Sequence, residues 1–276
     1  MQNDDLVAKV GKWLNEESGY PLEMNTAAAL ASAGFEVVQG DYFPDDKTNV
    51  PRELDVTGYV TRKNDAGTQV SVALLVECKS STEKPWLLFT SPDTYPANLA
   101  VVRRSTNEKG RRVLNKLQFD QNLHKSPLFN MPSRFGYALS IAMRKANDNK
   151  DHAYEALMGV CSATLGHIKR LEEYAYPSVV PFDWPVIVIR APLLECYLAP
   201  NGEVEVKEID KGVLVWRNPI LHRHTIVSIY REDSFKAEAQ VLKDAASEFA
   251  ALAASAINVL DENDAVRKAV LDKLRK

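Results

Sequence analysis

Two stretches of the sequence decide the fold: residues 54–61 read LDVTGYVT, and residues 70–78 read VSVALLVEC. Both are rich in β-branched and apolar residues, and the tetrapeptide NDAG at 64–67 is typical of a hairpin turn. We therefore predict two antiparallel strands. Asp55 and Glu77 are equidistant from residue 66 in this turn, so they should lie opposite each other to within one residue of register.

The flanking sequence alternates between helical and strand patterns. Apolar residues recur at helical spacing, and Pro21 suits the first turn of a helix while Gly34 suits its end. The predicted helices are residues 3–17, about 21–33, 151–174, and from 234 towards the C-terminus. The further predicted strands are residues 35–43, 86–89, 185–190, 196–198, 204–206 and 224–230. The remaining long segments are a polar loop at 44–51 and an irregular stretch at 91–150.

This order of elements indicates an α/β fold, with a mixed central sheet flanked by helices, a helical insert and a C-terminal helical extension. The sequence contains no internal repeat and no low-complexity linker, so we treat residues 1–276 as a single domain. Within it we expect a core at about 19–90, a helical and basic insert at about 91–180, and returning strands with C-terminal helices at about 181–276.

The composition excludes several classes of protein. Hydrophobic residues make up 45% of the chain and charged residues 26%, as in an ordinary globular protein. Cys78, Cys161 and Cys196 are too few and too far apart to indicate a disulfide framework or a zinc knuckle. The N-terminus is acidic and no run of 18 apolar residues occurs, so we expect a cytoplasmic protein without a membrane span.

Three charged residues lie in or at the end of the two central strands: Asp55, Glu77 and Lys79. An unpaired buried charge is costly, and a bound cation would compensate the carboxylates. Glu77 and Lys79 are two residues apart, so their side chains share one face of the strand and should converge with Asp55. Carboxylate oxygens suit Mg²⁺ or Mn²⁺, with the Cys78 carbonyl as a further possible ligand. A lysine beside the metal could position or deprotonate a water molecule.

An acid in one strand followed by acid-x-Lys at the end of the next resembles the PD-(D/E)xK, or restriction-endonuclease-like, nucleases. Asp55 and Glu77-Cys78-Lys79 match this pattern residue by residue, although Leu54 stands where the nominal pattern has proline. The resemblance covers roughly residues 19–90. It implies a restriction-endonuclease-like core, dependence on a metal ion, and a nucleic-acid substrate.

The same resemblance draws attention to Glu23 on the second predicted helix. Many members of the family place a glutamate on the helix before the first strand, and Glu23 matches that position. It could equally be a first-turn glutamate favoured by the helix dipole. The implied metal ligands are Asp55, Glu77, the Cys78 backbone carbonyl and Glu23.

The densest basic segment lies between residues 103 and 116, where Glu108 is the only acidic residue. Such a segment is typical of a surface that contacts phosphates, but it is also common in a solvated loop or helix. The net charge of −3 gives no general attraction to nucleic acid, so any such surface must be local. The candidate nucleic-acid contacts are Arg103, Arg104, Lys109, Arg111, Arg112 and Lys116.

A second acid-x-Lys triplet, Glu205-Val206-Lys207, follows the turn at Asn201-Gly202. Its alternating charges are typical of a solvated hairpin strand. Asp183 lies upstream of it, beside Pro185 at the entrance of a predicted strand. We therefore do not assign this second set to the site.

The predicted function is a metal-dependent endonuclease that uses Mg²⁺ or Mn²⁺, with DNA favoured over RNA as the substrate. A homodimer is possible, because many nucleases of this kind cut both strands as twofold dimers. Two alternatives stay open: a nuclease-like fold that binds nucleic acid or another partner with little catalysis, and an RNase of the same fold. The phosphate chemistry is shared, and no base-reading motif is visible.

Overall fold

The computed structural model describes residues 2–44, 51–80, 84–143, 151–174, 178–218 and 223–274. Residues 45–50 of the predicted polar loop lie outside this part of the chain. The helices within it are α1 Gln2–Glu17, α2 Tyr20–Ser32, α3 Ala97–Val102, α4 Glu108–Leu117, α5 Gln121–Lys125, α6 His152–Glu173 and α7 Glu232–Leu274.

The ends of the helices follow local capping rules. Pro21 lies in the first turn of α2, and Gly34 follows its end with a φ of +89°, a conformation that glycine adopts without strain. Asp151 caps α6, because its side chain accepts hydrogen bonds from the backbone N–H groups of Ala153 and Tyr154. The four predicted helices are confirmed to within two residues.

One mixed sheet contains the strands of the described residues. In it the order is β1-β2-β3-β7-β11-β10-β6-β4-β8-β9, and the short β5 pairs with β7. The strands are β1 Glu36–Pro44, β2 Pro51–Lys63, β3 Gln69–Ser80, β4 Trp86–Thr90, β5 Ser105–Thr106, β6 Gly136–Ile141, β7 Val179–Arg190, β8 Leu193–Leu198, β9 Val204–Ile209, β10 Lys211–Asn218 and β11 Arg223–Arg231. The pairs β3–β7, β7–β11, β6–β10 and β4–β8 are parallel. The predicted α/β class with a mixed central sheet is confirmed.

The predicted hairpin is β2–β3, and its register is the predicted one. Val56 pairs with Val76 and Lys63 pairs with Gln69, so the hairpin is centred on residue 66. Gly67 has a φ of +83°, which explains why the turn requires glycine there. Continued by one step, the register would put positions 55 and 77 opposite each other, although the backbone pairing ends at Val56 and Val76.

Helices cover both faces of the sheet around β3. Val72, Leu74 and Val76 pack in the large core with residues of α2 and α7. Ala73 and Leu75 point the other way and share a cluster with Ala163 of α6. Successive side chains of a strand alternate between the faces. Glu77 therefore continues the row that faces α6, and Cys78 continues the row that faces α2.

The segment at 91–150 differs from the prediction of irregular structure. It contains α3, α4, α5 and β6, and α4 begins at a regular cap, where Asn107 accepts a hydrogen bond from Gly110 N–H. β6 lies inside the sheet between β10 and β4, so the predicted insert contributes a strand to the sheet itself. The prediction also missed β10, which pairs antiparallel with β11, and it began β7 at 185 although the strand begins at Val179.

Candidate functional site

The β2–β3 ladder is interrupted at Asp55. Backbone pairing between the two strands ends at Val56 and Val76. At the next step the Asp55 carboxylate, and not a backbone carbonyl, accepts the hydrogen bond from β3. The backbone N–H of Cys78 donates a hydrogen bond of 2.6 Å to Asp55 Oδ2. A carboxylate that accepts a backbone hydrogen bond in this way has a defined position and orientation.

The path of β2 also changes at this residue. Leu54 packs in the cluster on the α6 face of the sheet, whereas Val56 packs in the core on the α2 and α7 face. In a regular strand, residues two apart lie on the same face. The regular alternation is therefore broken between Leu54 and Val56, and Asp55 is the residue at which it breaks.

Glu77 and Lys79 form an ion pair next to Asp55, on the face covered by α6. Lys79 Nζ donates to Glu77 Oε1 at 2.5 Å. Glu77 is 7% exposed, whereas the Lys79 side chain is 30% exposed, so the pair is buried at the carboxylate and open to solvent at the ammonium. A charge-assisted hydrogen bond of this kind holds both groups in place.

Burial and mutual repulsion disfavour the charged forms of the acids. Burial raises the pKa of Glu77 to about 7, with a further rise from the negative charge of Asp55, even though Lys79 opposes both effects. Burial likewise raises the pKa of Asp55. Burial would lower the pKa of Lys79, but the charge of Glu77 and their hydrogen bond outweigh it and raise that pKa. Lys79 therefore holds its proton firmly, and the two carboxylates bind protons more readily than exposed acids do.

Glu23 of α2 lies within the electrostatic range of this cluster. Its pKa is raised by partial burial first and then by the negative charge of Asp55. The helix is anchored to the end of β3, because the Cys78 thiol lies 3.6 Å from the Thr26 hydroxyl in a hydrogen bond. The structure thus brings Asp55, Glu77 and Lys79 together, whereas Glu23 interacts with them at longer range through its charge.

The acidic side chains of the site can be compared with the ligands that Mg²⁺ or Mn²⁺ requires. Within the described ranges, no three side chains of His, Cys, Asp or Glu converge closely enough to bind a metal by themselves. Mg²⁺, however, is commonly held by one or two carboxylates, while water and substrate phosphates fill its other positions. Asp55 and Glu77 each use one carboxylate oxygen in the contacts above and have a second oxygen besides. Two carboxylates are the kind of donor set that Mg²⁺ or Mn²⁺ accepts, so both carboxylates and the Cys78 carbonyl stay predicted ligands.

The basic segment at 103–116 lies elsewhere in the fold. Residues of α4 pack in the core on the α2 and α7 face of the sheet, opposite the side chains of Glu77 and Lys79. Arg104 is 4% exposed and stacks on Phe129 and Trp184, so it does not belong to an exposed basic surface. The structure does not bring this segment to the acids.

Three more of these basic residues are engaged in contacts within the protein. Arg103 donates to the Tyr95 hydroxyl at 2.6 Å. Lys109 pairs with Asp261 at 3.0 Å, and Arg112 pairs with Asp264 at 2.8 Å. Arg111 and Lys116 are exposed on α4. For Arg111 and Lys116, contact with nucleic acid remains a prediction.

Gly159 is a residue of the site that the sequence analysis missed. An added Cβ at this position of α6 would lie 3.3 Å from Glu77 Oε2 and 3.5 Å from Oε1. The helix backbone thus packs directly against the carboxylate. A glycine in the interior of a long predicted helix was the available signal, because glycine is unfavourable there and usually has a packing reason.

We expect Gly159→Ala to lower the metal-dependent cleavage predicted from the sequence by roughly tenfold, because the added methyl displaces the Glu77 carboxylate by a few tenths of an ångström. Alanine also favours the helix by about 1 kcal/mol, so the melting temperature should not fall with the activity. Initial cleavage rates and thermal melting of the same samples check this. Gly11→Ala is the control, since an added Cβ there meets no atom within 4 Å. Unchanged cleavage by Gly159→Ala would contradict the contact.

The second acid-x-Lys triplet is separated from its upstream acid. Glu205 and Lys207 lie on β9, an exposed strand at the edge of the sheet, as predicted. Asp183 lies inside β7, not at its entrance, and is fully buried against His167 of α6. Five strands of the sheet lie between β7 and β9.

Comparisons with the models of known protein families, with curated proteins and with solved structures gave no match. Among the described residues, no helix combines the length and the apolar character needed to cross a membrane.

Proposed function

We propose that this chain is a metal-dependent nuclease with a restriction-endonuclease-like core, and that DNA is its preferred substrate. One observation carries the proposal. At the ends of two adjacent strands, Asp55 is held by the Cys78 N–H at 2.6 Å while Glu77 and Lys79 are paired at 2.5 Å. Two carboxylates and an ammonium at the end of a hairpin are suited to phosphodiester hydrolysis.

Asp55 and Glu77 would hold Mg²⁺ or Mn²⁺, with the Cys78 carbonyl and Glu23 in supporting positions. A metal bound there supplies a Lewis acid for the phosphoryl oxygen and lowers the pKa of bound water. The break in β2 fixes the direction of the Asp55 carboxylate, so that this ligand needs little reorganisation. The partial burial of the cluster strengthens its interaction with a cation.

The pKa of Lys79 depends on whether the Glu77 carboxylate is ionised and free to pair with it. While it is paired with the ionised carboxylate it is protonated, and it can donate hydrogen bonds to a phosphate or orient a water molecule. If Glu77 is engaged as a ligand, Lys79 loses the charge that raises its pKa. Burial, which lowers that pKa, then moves the amine towards the range in which it can accept a proton.

We include a homodimer in this proposal, because two active sites related by twofold symmetry can each cut one strand of a duplex. The exposed apolar residues on α1 support such a contact, because single exposed residues are ordinary but a row on one helix is not. These residues are Leu6, Val7, Val10 and Trp13.

Cleavage of supercoiled plasmid tests the proposal. We expect nicking or linearisation by the purified protein with Mg²⁺ or Mn²⁺, and none with EDTA. Single-stranded RNA of matched length in parallel reactions separates a DNase from an RNase. Salt-sensitive binding of either nucleic acid with no cleavage in any metal would instead identify a binding protein.

Metal affinity should depend on pH through Glu77. Its pKa is raised to about 7, and a ligand carboxylate must be ionised, so protons compete with the metal below that pH. We expect Mn²⁺ affinity, measured by calorimetry, to weaken by about tenfold per pH unit below 7 and to level off above it. Glu77→Gln keeps a neutral carbonyl ligand, so it should bind Mn²⁺ much more weakly than the wild type at pH 8, and its residual affinity should lack the step near pH 7. Equal wild-type affinities at pH 5.5 and 8 would contradict the assignment of Glu77.

A further inference from the structure

A second region of the protein holds a buried cation with no acidic partner among the described residues. Arg104 follows α3 and is 4% exposed. Its guanidinium lies over the rings of Phe129 and Trp184, 5.5 Å and 5.7 Å from their centroids. Within the described part of the chain, its Nε and Nη1 atoms are buried and make no hydrogen bond. Burial lowers the pKa of Arg104 to about 9.

Such an arrangement is rare because it is unfavourable. A buried guanidinium has five N–H donors and is normally paired with a carboxylate or with carbonyl groups. The two aromatic rings offset part of the cost, since an arginine over an aromatic face is attracted to it. They do not satisfy the N–H donors, which still require an acceptor.

A cavity of about 580 Å³ adjoins this guanidinium. Its floor is the β10–β11 hairpin, where Lys211 pairs with Tyr230 and Val213 pairs with Ser228, so all four face the same side. Lys125 of α5 stands at the cavity wall and is exposed. Lys211, by contrast, is already paired with Glu238 at 2.6 Å.

Besides Asn130 and the Glu238 carboxylate, whose charge is paired with Lys211, the remaining walls of the cavity are apolar. Pro127, Leu128 and Pro132 line it on the side of α5, and Val241 lines it on the side of α7. The volume is in the range of pockets that enclose a small organic ligand. The cavity therefore combines two cations, Arg104 and Lys125, with surfaces that suit an organic body.

The cavity is separate from the candidate nuclease site. Tyr230, on the floor of the cavity, packs in the core on the face of the sheet that α2 and α7 cover. Glu77 faces α6 on the other side, where Gly159 contacts it. A ligand in the cavity would not touch the acids or Lys79.

We propose that this cavity binds a small phosphate monoester, of about the size of a nucleoside monophosphate, with the phosphate on Arg104 and Lys125. A phosphate dianion matches the two positive charges, and its negative charge would compensate the buried guanidinium, which lines the cavity without an acidic partner among the described residues. The organic body packs on the prolines and Val241. A lone inorganic ion would leave most of the cavity unfilled.

Thermal melting and calorimetry with AMP, UMP, glucose 6-phosphate and inorganic phosphate test this proposal. We expect at least one monoester to raise the melting temperature in a concentration-dependent way, and to bind more tightly than inorganic phosphate. Lys125→Ala should weaken its binding by at least about tenfold, because one charge-assisted hydrogen bond is lost. Lys268→Ala removes another exposed lysine, on α7 and outside the cavity lining, and should bind the monoester as the wild type does.

Arg104→Met supplies an independent readout without ligand. Methionine has a similar shape and no unpaired charge, so the ligand-free variant should melt at a higher temperature than the wild type and should not respond to the monoester. A lower melting temperature of ligand-free Arg104→Met would overturn the proposal. So would the absence of any monoester response, a response retained in Arg104→Met or Lys125→Ala, or inorganic phosphate that binds as tightly as the monoesters.

Discussion

Lys79→Ala should reduce metal-dependent cleavage by a factor of roughly 10² to 10⁴ while the protein stays folded and still binds Mn²⁺. In the proposed nuclease the ammonium contributes charge and hydrogen bonds to the reacting phosphate or water, and its side chain is 30% exposed, so its loss opens no cavity in the core. Lys79 also lowers the pKa of Glu77, so Mn²⁺ binding by the variant is measured at high pH, where Glu77 is ionised. Glu77→Ala should lose Mn²⁺ binding as well as cleavage, because it removes a ligand. Single-turnover cleavage rates and Mn²⁺ calorimetry separate the two effects.

The chain offers a matched control for these substitutions. Glu205 and Lys207 repeat the acid-x-Lys spacing on the exposed edge strand β9. Glu205→Ala and Lys207→Ala remove the same groups from the same spacing, and we expect them to cut at the wild-type rate. Wild-type cleavage by Lys79→Ala would contradict the proposed role of Lys79. A loss of cleavage in the β9 variants would mean that the acid-x-Lys spacing alone does not define the site.

Asp183→Ala should lower the free energy of unfolding by about 3–5 kcal/mol, because it removes one partner of a fully buried pair. Asp183 is 0% exposed, and its Oδ1 and Oδ2 atoms lie 3.0 Å and 2.9 Å from His167 Nδ1. The substitution leaves the imidazole buried without that acceptor and also opens a cavity between β7 and α6. Urea unfolding of the two proteins at the same pH measures the difference.

Asp183→Asn is the informative comparison, because the amide oxygen still accepts a hydrogen bond from His167 and the volume is almost unchanged. We expect it to cost clearly less than Asp183→Ala. A loss below about 1 kcal/mol in Asp183→Ala would show that the pair contributes little to stability, as exposed ion pairs do. Because Asp183 lies four residues before Ile187, the partner of Glu77, cleavage by the folded fraction should persist.

The hairpin at the centre of the fold could be predicted because its determinants are local. Gly67 at a left-handed position and apolar runs of similar length on either side define the turn and therefore the register. The register in turn brings Asp55 next to the end of β3, where its carboxylate accepts a hydrogen bond from the Cys78 N–H. The helices with clear caps, such as α6 behind Asp151, were predictable for the same reason, since a cap is formed by neighbours in the chain.

The middle of the chain could not be predicted in this way. α3, α4 and α5 are 6, 10 and 5 residues long, too short for a periodic pattern to stand out among prolines and basic residues. They are held by packing on the core, as Val113 and Leu114 show. β10 carries an apolar run flanked by Lys211 and Arg217, and its partner β11 comes later in the chain, so its strand character depends on pairing.

The sequence by itself determined the acid-x-Lys spacing, the hairpin that opposes Asp55 to Glu77, and the helices with marked ends. These depend on turns, caps and the alternation of strand faces, which act within a few residues. Only the tertiary structure decided that Gly159 packs on Glu77, that Asp183 is buried against His167, and that Arg104 lies in the core beside a cavity. Each of these contacts joins elements that are distant in the chain, and the packing of the helices on the sheet determines which side chains meet.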